Sequence, residues 1–371
     1  MKFPNIQDVS DRSGPFAHTE NTVQRTMFTV LLALVPATVL DLYLFGWPAI
    51  FLFGVTVGSC VFVEAFSMVL AQRRVIATIS DGSAVLTGWL LAMTLPPWAP
   101  WWIGLLGAVF AILLAKQPFG GLGQNLFNPA MVARVALLVS FPVAMTAWVA
   151  PHPLFTDNAP SFNQAISITF HSDMPDGITA ATALGYVKTE LSRGIPASQS
   201  VYEYGRTINM TSYTPYAVNS AVGYKSGSLG ETSAFLILLG GLFLIRRRII
   251  TWHIPGMVLG TIFVFATVFN LVNPDRFSPA WFHLISGATF LGAFFIATDY
   301  VTSPVSKTGQ LIFGFGVGAL TWVIRTFAGY PEGMAFAVLL MNSVTPIIDQ
   351  YTRPRLFGRT RKGDPLPVEG K

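Results

Sequence analysis

Hydroxyl and carboxyl side chains lie close together in the segment Asp176-Gly-Ile-Thr179-Ala-Ala181-Thr182, among small neighbours. The hydroxyl of Thr182 is a candidate attachment point for a covalently bound group, because the small residues before it would leave it open to a modifying enzyme. The same residue types are also typical of a turn followed by the start of a helix. The segment alone leaves both interpretations open.

The composition of the chain places this segment in a membrane protein. Of its 371 residues, 52% are hydrophobic and only 11% are charged, too few to cover the surface of a soluble protein of this length. The net charge is +5, but Lys and Arg gather at the ends of apolar runs, so no nucleic-acid partner is expected. The single cysteine, Cys60, cannot hold an iron–sulfur cluster alone. Because the first 25 residues lack an apolar core, no signal peptide is expected.

Ten apolar stretches predict membrane-spanning helices, with allowance for uncertain ends. They lie at about 26–46, 47–71, 81–97, 100–116, 128–149, 232–247, 250–270, 279–301, 307–327 and 332–349. Several are shorter than the roughly 20 residues of a straight span, and the third ends in Leu95-Pro96-Pro97, so broken or re-entrant helices are expected. The predicted fold is an all-α polytopic membrane protein with one long hydrophilic loop, which carries Thr182.

The spans divide evenly around this loop, with five before it and five after it. Residues 83–94 can be laid on residues 287–298 with matching small and apolar positions. A repeat with an odd number of spans inserts in opposite orientations, so we predict two inverted five-helix repeats. The alternative is that small residues recur in any closely packed helices. In chain order, the predicted divisions are a tail, the first repeat, the loop, the second repeat and a basic tail, at 1–25, 26–149, 150–231, 232–349 and 350–371.

Basic residues predict the orientation of the chain, because they are enriched on the cytoplasmic side of a membrane protein. In a ten-span arrangement the basic clusters all fall on one side. Both tails are therefore predicted to be cytoplasmic, with the 150–231 loop outside. The clusters are Arg73-Arg74, Lys116, Arg246-Arg247-Arg248, Lys307 and the tail residues Arg353, Arg355, Arg359, Arg361 and Lys362.

Ionisable residues within or near the spans are costly in lipid and tend to mark pathways or ion pairs. These residues are Asp41, Glu64, Arg134, Asp299 and Arg325. Asp299 is the candidate for an ion path, and a salt bridge or a helix-end position is the alternative role for it.

Two further stretches have patterns of helix starts. The glycines from Gly120 to Gly123 permit unusual backbone angles before Asn128-Pro129, which predicts a re-entrant loop entering a helix that Asn128 caps. Ser228-Leu-Gly-Glu231 fits the S-x-x-E pattern of a capping box, here at the start of the sixth span. We interpret this second stretch as a cap rather than a ligand site.

Four motifs in this order give the chain a resemblance to a known family. They lie at 120–130, 176–184, 227–233 and 296–304. Over nearly its whole length the chain resembles the RnfD/NqrB family, which comprises the D-type member of the Rnf ferredoxin:NAD oxidoreductase and the B-type member of the sodium-pumping NADH:quinone reductase. Its length and short N-terminal region are more similar to the Rnf member.

The resemblance implies a role for each residue of the Thr182 segment. Thr182 would carry FMN through a phosphoester bond. Asp176, Thr179 and Ala181 would belong to the motif that a flavin transferase recognises. Ala180 stands where the family often has Gly, and it is nearly as small.

The resemblance also implies a function for the whole chain. It would be a subunit, not catalytic alone, of an ion-translocating oxidoreductase in the bacterial inner membrane. It would pass electrons between ferredoxin and NAD(H) branches, coupled to Na⁺ or H⁺ movement. Its partners would be the A-, B-, C-, E- and G-type Rnf subunits and membrane lipid, and a noncovalent riboflavin would be a second cofactor. The alternatives are the sodium-pumping quinone reductase subunit and a secondary transporter or channel without redox chemistry.

Overall fold

The computed structural model describes residues 22–174, 179–207, 221, 223–330 and 332–353. Asp176 of the predicted attachment motif, most of the N-terminal tail and most of the basic C-terminal tail lie outside these ranges. The secondary structure of the described ranges is helical. Within these ranges, β-type backbone pairing is limited to one isolated antiparallel bridge, between Val149 and Thr179. This confirms the predicted all-α class.

The first helix, α1 (Val23–Leu70), contains the first two predicted spans and bends between them. At about 1.5 Å per residue its 48 residues are far longer than one crossing of a bilayer needs. The bend occurs at Gly46, which has a φ of 75°, two residues before Pro48. Backbone carbonyls freed at the bend accept hydrogen bonds from elsewhere: Tyr43 from the Leu154 N–H and Phe45 from the Trp98 indole. The bend therefore leaves these two carbonyls satisfied.

The rest of the first half consists of short helices. They are α2 (Val75–Ile79), α3 (Ser83–Thr94), α4 (Trp101–Val109) with a π-helical turn (Phe110–Leu114), α5 (Pro129–Ser140) and α6 (Pro142–Thr146). Helices α2, α3 and α4 pack on α1, α5 packs on α3 and α4, and α6 packs on α5. Helix α3 ends before Pro96-Pro97, as predicted. The Asn128 side chain accepts the Met131 N–H and caps α5, which confirms the predicted helix start.

The long hydrophilic loop is also largely helical where the structure describes it. It contains α7 (Phe162–Ile166) with a π-helical turn (Ser167–His171), α8 (Ala183–Ser192), α9 (Ala197–Thr207) and α10 (Leu229–Thr232). Helix α10 lies deep in the protein, because its Gly230 packs against the Met93 carbonyl at the end of α3 and against Leu291.

The second half repeats the alternation of long and broken helices. It contains α11 (Ala234–Arg246), α12 (His253–Val272), α13 (Ala280–Ile285), α14 (Thr289–Leu291) with a π-helical turn (Gly292–Ile296), α15 (Lys307–Phe327) and α16 (Met334–Tyr351). The span predicted at 279–301 is broken near Gly287, which has a φ of 68°.

Among the described residues, four helical segments are long and apolar enough to cross a membrane: Val23–Leu70, Trp101–Phe119, His253–Val272 and Lys307–Phe327. Shorter apolar helices accompany them at Ser83–Thr94, Pro129–Ser140 and Ala234–Arg246. One hydrophobic core joins residues of both halves. The protein is thus a polytopic membrane protein, whereas the count of ten spans, the inverted repeat and the division boundaries stay predictions.

Candidate functional site

Thr182 lies at the start of α8, where it is the N-terminal cap. Its side-chain oxygen accepts the Gly185 N–H at 3.1 Å. The residue is only 4% exposed, so the expectation of an unobstructed hydroxyl is wrong for the folded chain. The reason is that the cap turns the hydroxyl into the first turn of α8, and α8 itself packs against the membrane helices.

The residues before Thr182 form an extended segment on the 148–149 stretch. Thr179 forms the bridge with Val149, and the Ala180 N–H donates to the Trp148 carbonyl at 2.8 Å. The Tyr204 hydroxyl donates to the carbonyl of Ala181 at 3.2 Å. Thr179 and Ala181 are exposed. The candidate recognition residues that the structure describes therefore face outward, while the candidate attachment residue faces inward.

Helix α8 is anchored to the end of α15 next to the break at Gly287. The Lys188 ammonium donates to the carbonyl of Ala328, and burial lowers the pKa of this lysine. A β-carbon at Gly287 would lie 3.2 Å from Leu184 and 2.4 Å from the Arg325 guanidinium. Only glycine leaves room for both neighbours at this positive φ. The start of α8 and Arg325 therefore both lie against the backbone at Gly287.

Arg134 of α5 connects the Thr182 segment to a glutamate from the other half of the chain. Its guanidinium lies over the Trp148 ring, 5.6 Å from the ring centroid, and donates to Glu332 Oε2 at 3.1 Å. The backbone carbonyl of Trp148 also accepts the hydrogen bond from the Ala180 N–H. Arg134 is 5% exposed and Glu332 is 19% exposed at their side chains, so the ion pair is largely shielded from solvent.

Glu231 of α10 lies beside this ion pair. The Ser228 hydroxyl donates to Glu231 Oε1 at 2.7 Å, and the Glu231 carboxyl is in hydrogen-bond contact with that of Glu332. The capping-box prediction for this stretch is wrong, because Ser228 makes no hydrogen bond to the backbone of α10 and Ser233 caps the following helix, α11. The reason is burial. Because Glu231 is only 3% exposed, its carboxylate needs a hydrogen-bond donor from the protein, and the Ser228 hydroxyl supplies it.

Arg325 completes the surroundings of the two carboxyl groups. Its guanidinium donates to the His283 carbonyl at 2.8 Å and to the Thr289 hydroxyl at 2.9 Å, whereas its Nε has no acceptor among the described residues. Two further buried charges lie close by: Lys225, which donates to the Ile285 carbonyl, and Asp41, which accepts from the Thr232 hydroxyl.

We call this set of buried charged residues the polar cluster. It comprises Asp41, Arg134, Lys225, Glu231, Arg325 and Glu332. The sequence singled out Asp41, Arg134 and Arg325 individually, but it did not show that they meet. A cavity of about 480 Å³ adjoins the cluster and is lined by Arg134, Ser228, Arg325 and Glu332 among others.

The candidate ion-path residue, Asp299, lies elsewhere in the bundle. Its carboxylate accepts the Val301 N–H at 3.4 Å and the Thr302 hydroxyl at 3.2 Å, so it stabilises a turn after a helix end. The 21 residues of α15, about 30 Å of helix, begin a few residues after this turn and end near Arg325. A role for Asp299 in ion movement stays a prediction.

Asp299 lines a second cavity, of about 770 Å³, together with Lys116, Asn125 and Asn128. The Lys116 ammonium at the rim of this cavity forms a buried salt bridge with Glu64, at 2.7 Å and 2.8 Å from its two oxygens. The orientation predicted from the sequence counts Lys116 among the basic residues of the cytoplasmic side. At 2% exposure and neutralised by Glu64, it is not a surface charge.

The fold and the two polar regions define a class: an integral membrane protein that keeps ionisable residues deep in its helical bundle. The chain belongs to the NQR2, RnfD, RnfE family, whose sequence model matches residues 10–358. This confirms the resemblance seen in the four motifs.

Several relatives match nearly the whole chain, and each is named as the D-type member of an ion-translocating oxidoreductase complex. The protein from Halorhodospira halophila is 47% identical over 358 residues, 96% of this chain and 98% of its own length. The protein from Stutzerimonas stutzeri is 50% identical over 93% of this chain and 95% of its own length. The protein from Rhodobacter capsulatus is 48% identical over 84% of both chains.

Proposed function

We propose that this chain is the flavin-carrying membrane subunit of an ion-translocating oxidoreductase of the Rnf type. FMN is attached to Thr182 through a phosphoester bond and passes electrons between the ferredoxin and NAD(H) branches of the complex, coupled to Na⁺ or H⁺ movement. The observation that carries the proposal is the position of Thr182 at the N-terminus of α8, inside the motif on which the family resemblance rests, and on a helix that adjoins Arg325 of the polar cluster at Gly287. The names of the relatives support the assignment to such a complex.

The N-terminus of α8 suits a phosphoester. The backbone N–H groups of the first helical turn point toward the N-terminal end of the helix, where the helix dipole favours negative charge. Gly185, which already donates to the Thr182 oxygen, adds no side chain that would crowd the phosphate. When bound, FMN supplies one- and two-electron transfer, and the residues of this chain position it and set the charge around it.

The burial of Thr182 bears on when the flavin is attached. A flavin transferase must bring its own active site to the hydroxyl, and a residue that is 4% exposed does not allow this in the docked segment. We propose that the transferase acts before the Thr182 segment docks on Trp148. The exposed Thr179 and Ala181, with Asp176, would then form the sequence that the transferase reads.

Ferredoxin and NAD(H) are assigned to other subunits. The chain has one cysteine and no Rossmann fingerprint. In the described parts of the chain, no three His, Cys, Asp or Glu side chains are grouped to hold a metal ion. The proposed partners are the A-, B-, C-, E- and G-type subunits of the complex, together with the flavin transferase during maturation.

The proposed setting is the bacterial inner membrane, with the Thr182 loop periplasmic and both tails cytoplasmic. Without the buried Lys116, the orientation rests on basic residues that the structure leaves exposed. These are Arg73, Arg74, Arg246, Arg247, Arg248 and Lys307.

The cavity beside Asp299 is the proposed place for a noncovalent flavin such as riboflavin. Amide, hydroxyl and charged groups line it, from Asn125, Asn128, Thr298 and Lys116, and an isoalloxazine offers matching donors and acceptors along its pyrimidine edge.

Replacing the Thr182 hydroxyl tests the proposal. Thr182→Val in the full complex removes the acceptor oxygen, so we expect the loop peptide to lose its FMN adduct by mass spectrometry. The variant also loses the α8 cap, at a cost of about 1 kcal/mol, which leaves the chain folded. Acid extraction of the same sample would release only noncovalent flavin, which measures the second cofactor separately.

Thr189→Val is the matched control, because Thr189 lies on the same helix, is exposed and donates only to the Gly185 carbonyl. It should retain the adduct. Thr182→Asn, which keeps a side-chain oxygen to cap α8 but has no hydroxyl, separates the loss of the acceptor oxygen from the loss of the cap. An FMN adduct on the loop peptide of the valine variant would refute the attachment residue.

A further inference from the structure

Two carboxyl groups of the polar cluster contact each other without a donor between them. Each carboxyl group accepts one hydrogen bond from another residue. Ser228 donates to Glu231 Oε1 at 2.7 Å, and Arg134 donates to Glu332 Oε2 at 3.1 Å. The remaining Glu332 oxygen, Oε1, is buried and has no hydrogen-bond partner among the described residues. Yet the Glu231 carboxyl is within hydrogen-bond contact of Glu332.

A proton accounts for this arrangement. Ionised carboxylates only accept hydrogen bonds, so two of them in contact repel each other and leave buried oxygens unsatisfied. One proton shared between them converts the repulsion into a hydrogen bond. Among the described residues no donor reaches Glu332 Oε1, and a proton on either carboxyl group would supply the missing hydrogen bond.

We propose that Glu231 and Glu332 hold one proton between them and form a proton-binding site near the Thr182 segment. The ligand of the site is H⁺ from water. Glu332 lines the adjoining cavity and is 19% exposed, which gives the proton a route of exchange.

Charged groups approach the pair from several elements. Arg134 approaches from α5, Arg325 from α15, and Lys225 from the stretch before α10, while Asp41 of α1 lies beyond Lys225. Three cations thus surround the pair, and they stabilise the single negative charge that remains when one proton is shared. Burial, and next the Glu332 carboxyl, raise the pKa of Glu231, which agrees with a retained proton.

The position of the Glu231–Glu332 pair indicates a role for its proton in balancing charge near Thr182. Glu332 connects through Arg134 and Trp148 to the backbone of Ala180, and Arg325 lies below Leu184 of α8. An electron that arrives near Thr182 adds one negative charge there. Uptake of one further proton by the pair, from water through the cavity, balances that charge in a low-dielectric surrounding. This last step rests on the proposed flavin at Thr182, whereas the shared proton itself does not.

Infrared spectroscopy of the intact complex tests the shared proton. We expect a protonated-carboxyl C=O stretching band that shifts on exchange into D₂O and disappears as the pH is raised. Glu231→Gln and Glu332→Gln should each remove it, because the amide N–H replaces the proton as donor and the partner then ionises. The side-chain amide also keeps the contact, so both variants are expected to fold.

Glu203→Gln is the control, since Glu203 is a loop glutamate hydrogen-bonded to Gln199 away from the cluster. It should leave the band unchanged. A band that is absent from the parent complex, or that persists in either pair variant, overturns the shared proton. So does a band that weakens as Na⁺ is added, because Na⁺ would then occupy the site.

The Thr182→Val complex separates the two proposals. Without the flavin, the static band should remain, but the change in the band on chemical reduction should vanish. If the valine variant still carries FMN, the attachment proposal fails and the proton site stands. If the parent complex carries FMN on Thr182 but shows no change in the band on reduction, the coupling between flavin and pair fails.

Discussion

Lys116→Met is expected to destabilise the protein strongly, because it leaves a buried carboxylate without its cation. The Lys116 ammonium lies 2.7 Å and 2.8 Å from the two oxygens of Glu64 and 2.7 Å from the Ser83 hydroxyl. The side chains of the lysine and the glutamate are 2% and 0% exposed. Methionine has a similar length but no charge, so the variant removes the cation with little change in packing.

The size of the effect follows from this burial. Breaking a buried ion pair from one side costs about 3–5 kcal/mol, because the remaining charge is neither solvated nor paired. This corresponds to a fall of roughly a hundredfold to several thousandfold in the folding equilibrium constant. In the double variant Lys116→Met with Glu64→Gln no lone charge remains, and the Gln117 amide, which is 3.3 Å from Glu64, can still donate to the new side chain. We expect the double variant to recover most of the loss.

Unfolding by a denaturing detergent in mixed micelles, followed by tryptophan fluorescence, measures these differences. Lys307→Met is the control, because Lys307 is exposed and its loss should change stability by less than about 0.5 kcal/mol. The reasoning is refuted if Lys116→Met behaves like this control, or if the double variant is no more stable than the single one.

Two further predictions concern ion movement and orientation. Asp299→Asn keeps an acceptor oxygen for the Val301 N–H but removes the charge, so electron transfer should continue while ion uptake by reconstituted vesicles falls sharply; unchanged ion uptake per electron would remove Asp299 from the pathway. A cysteine placed at Ser198, in a chain whose native cysteine is replaced by serine, should react with an impermeant maleimide added outside spheroplasts, whereas one at Gly363 should not. Reversed labelling would put the Thr182 segment on the cytoplasmic face.

The sequence alone determined the class of the protein and several of the places where its apolar helices bend, begin or end. Apolar runs and Gly or Pro breaks act locally, through the cost of exposing backbone or charge to lipid. The bend at Gly46, the end of α3 before Pro96 and the Asn128 cap were therefore all accessible from a few neighbouring residues. The family motifs are likewise local patterns, and they sufficed to identify the family.

The tertiary structure decided which of these elements meet, and local patterns do not specify that. Arg134 and Glu332 are 198 positions apart, yet they form an ion pair, and the Arg134 guanidinium lies over the Trp148 ring. Thr182 has the neighbours of an exposed turn, but it is buried because α8 docks on the end of α15. Ser228 and Glu231 have the spacing of a cap, but burial made the carboxylate the acceptor. For Glu332 and Glu231 the deciding term is the free energy of satisfying a buried charge, whereas Thr182 is buried by the packing of apolar residues of α8 against Phe282. Both terms depend on residues distant in the chain.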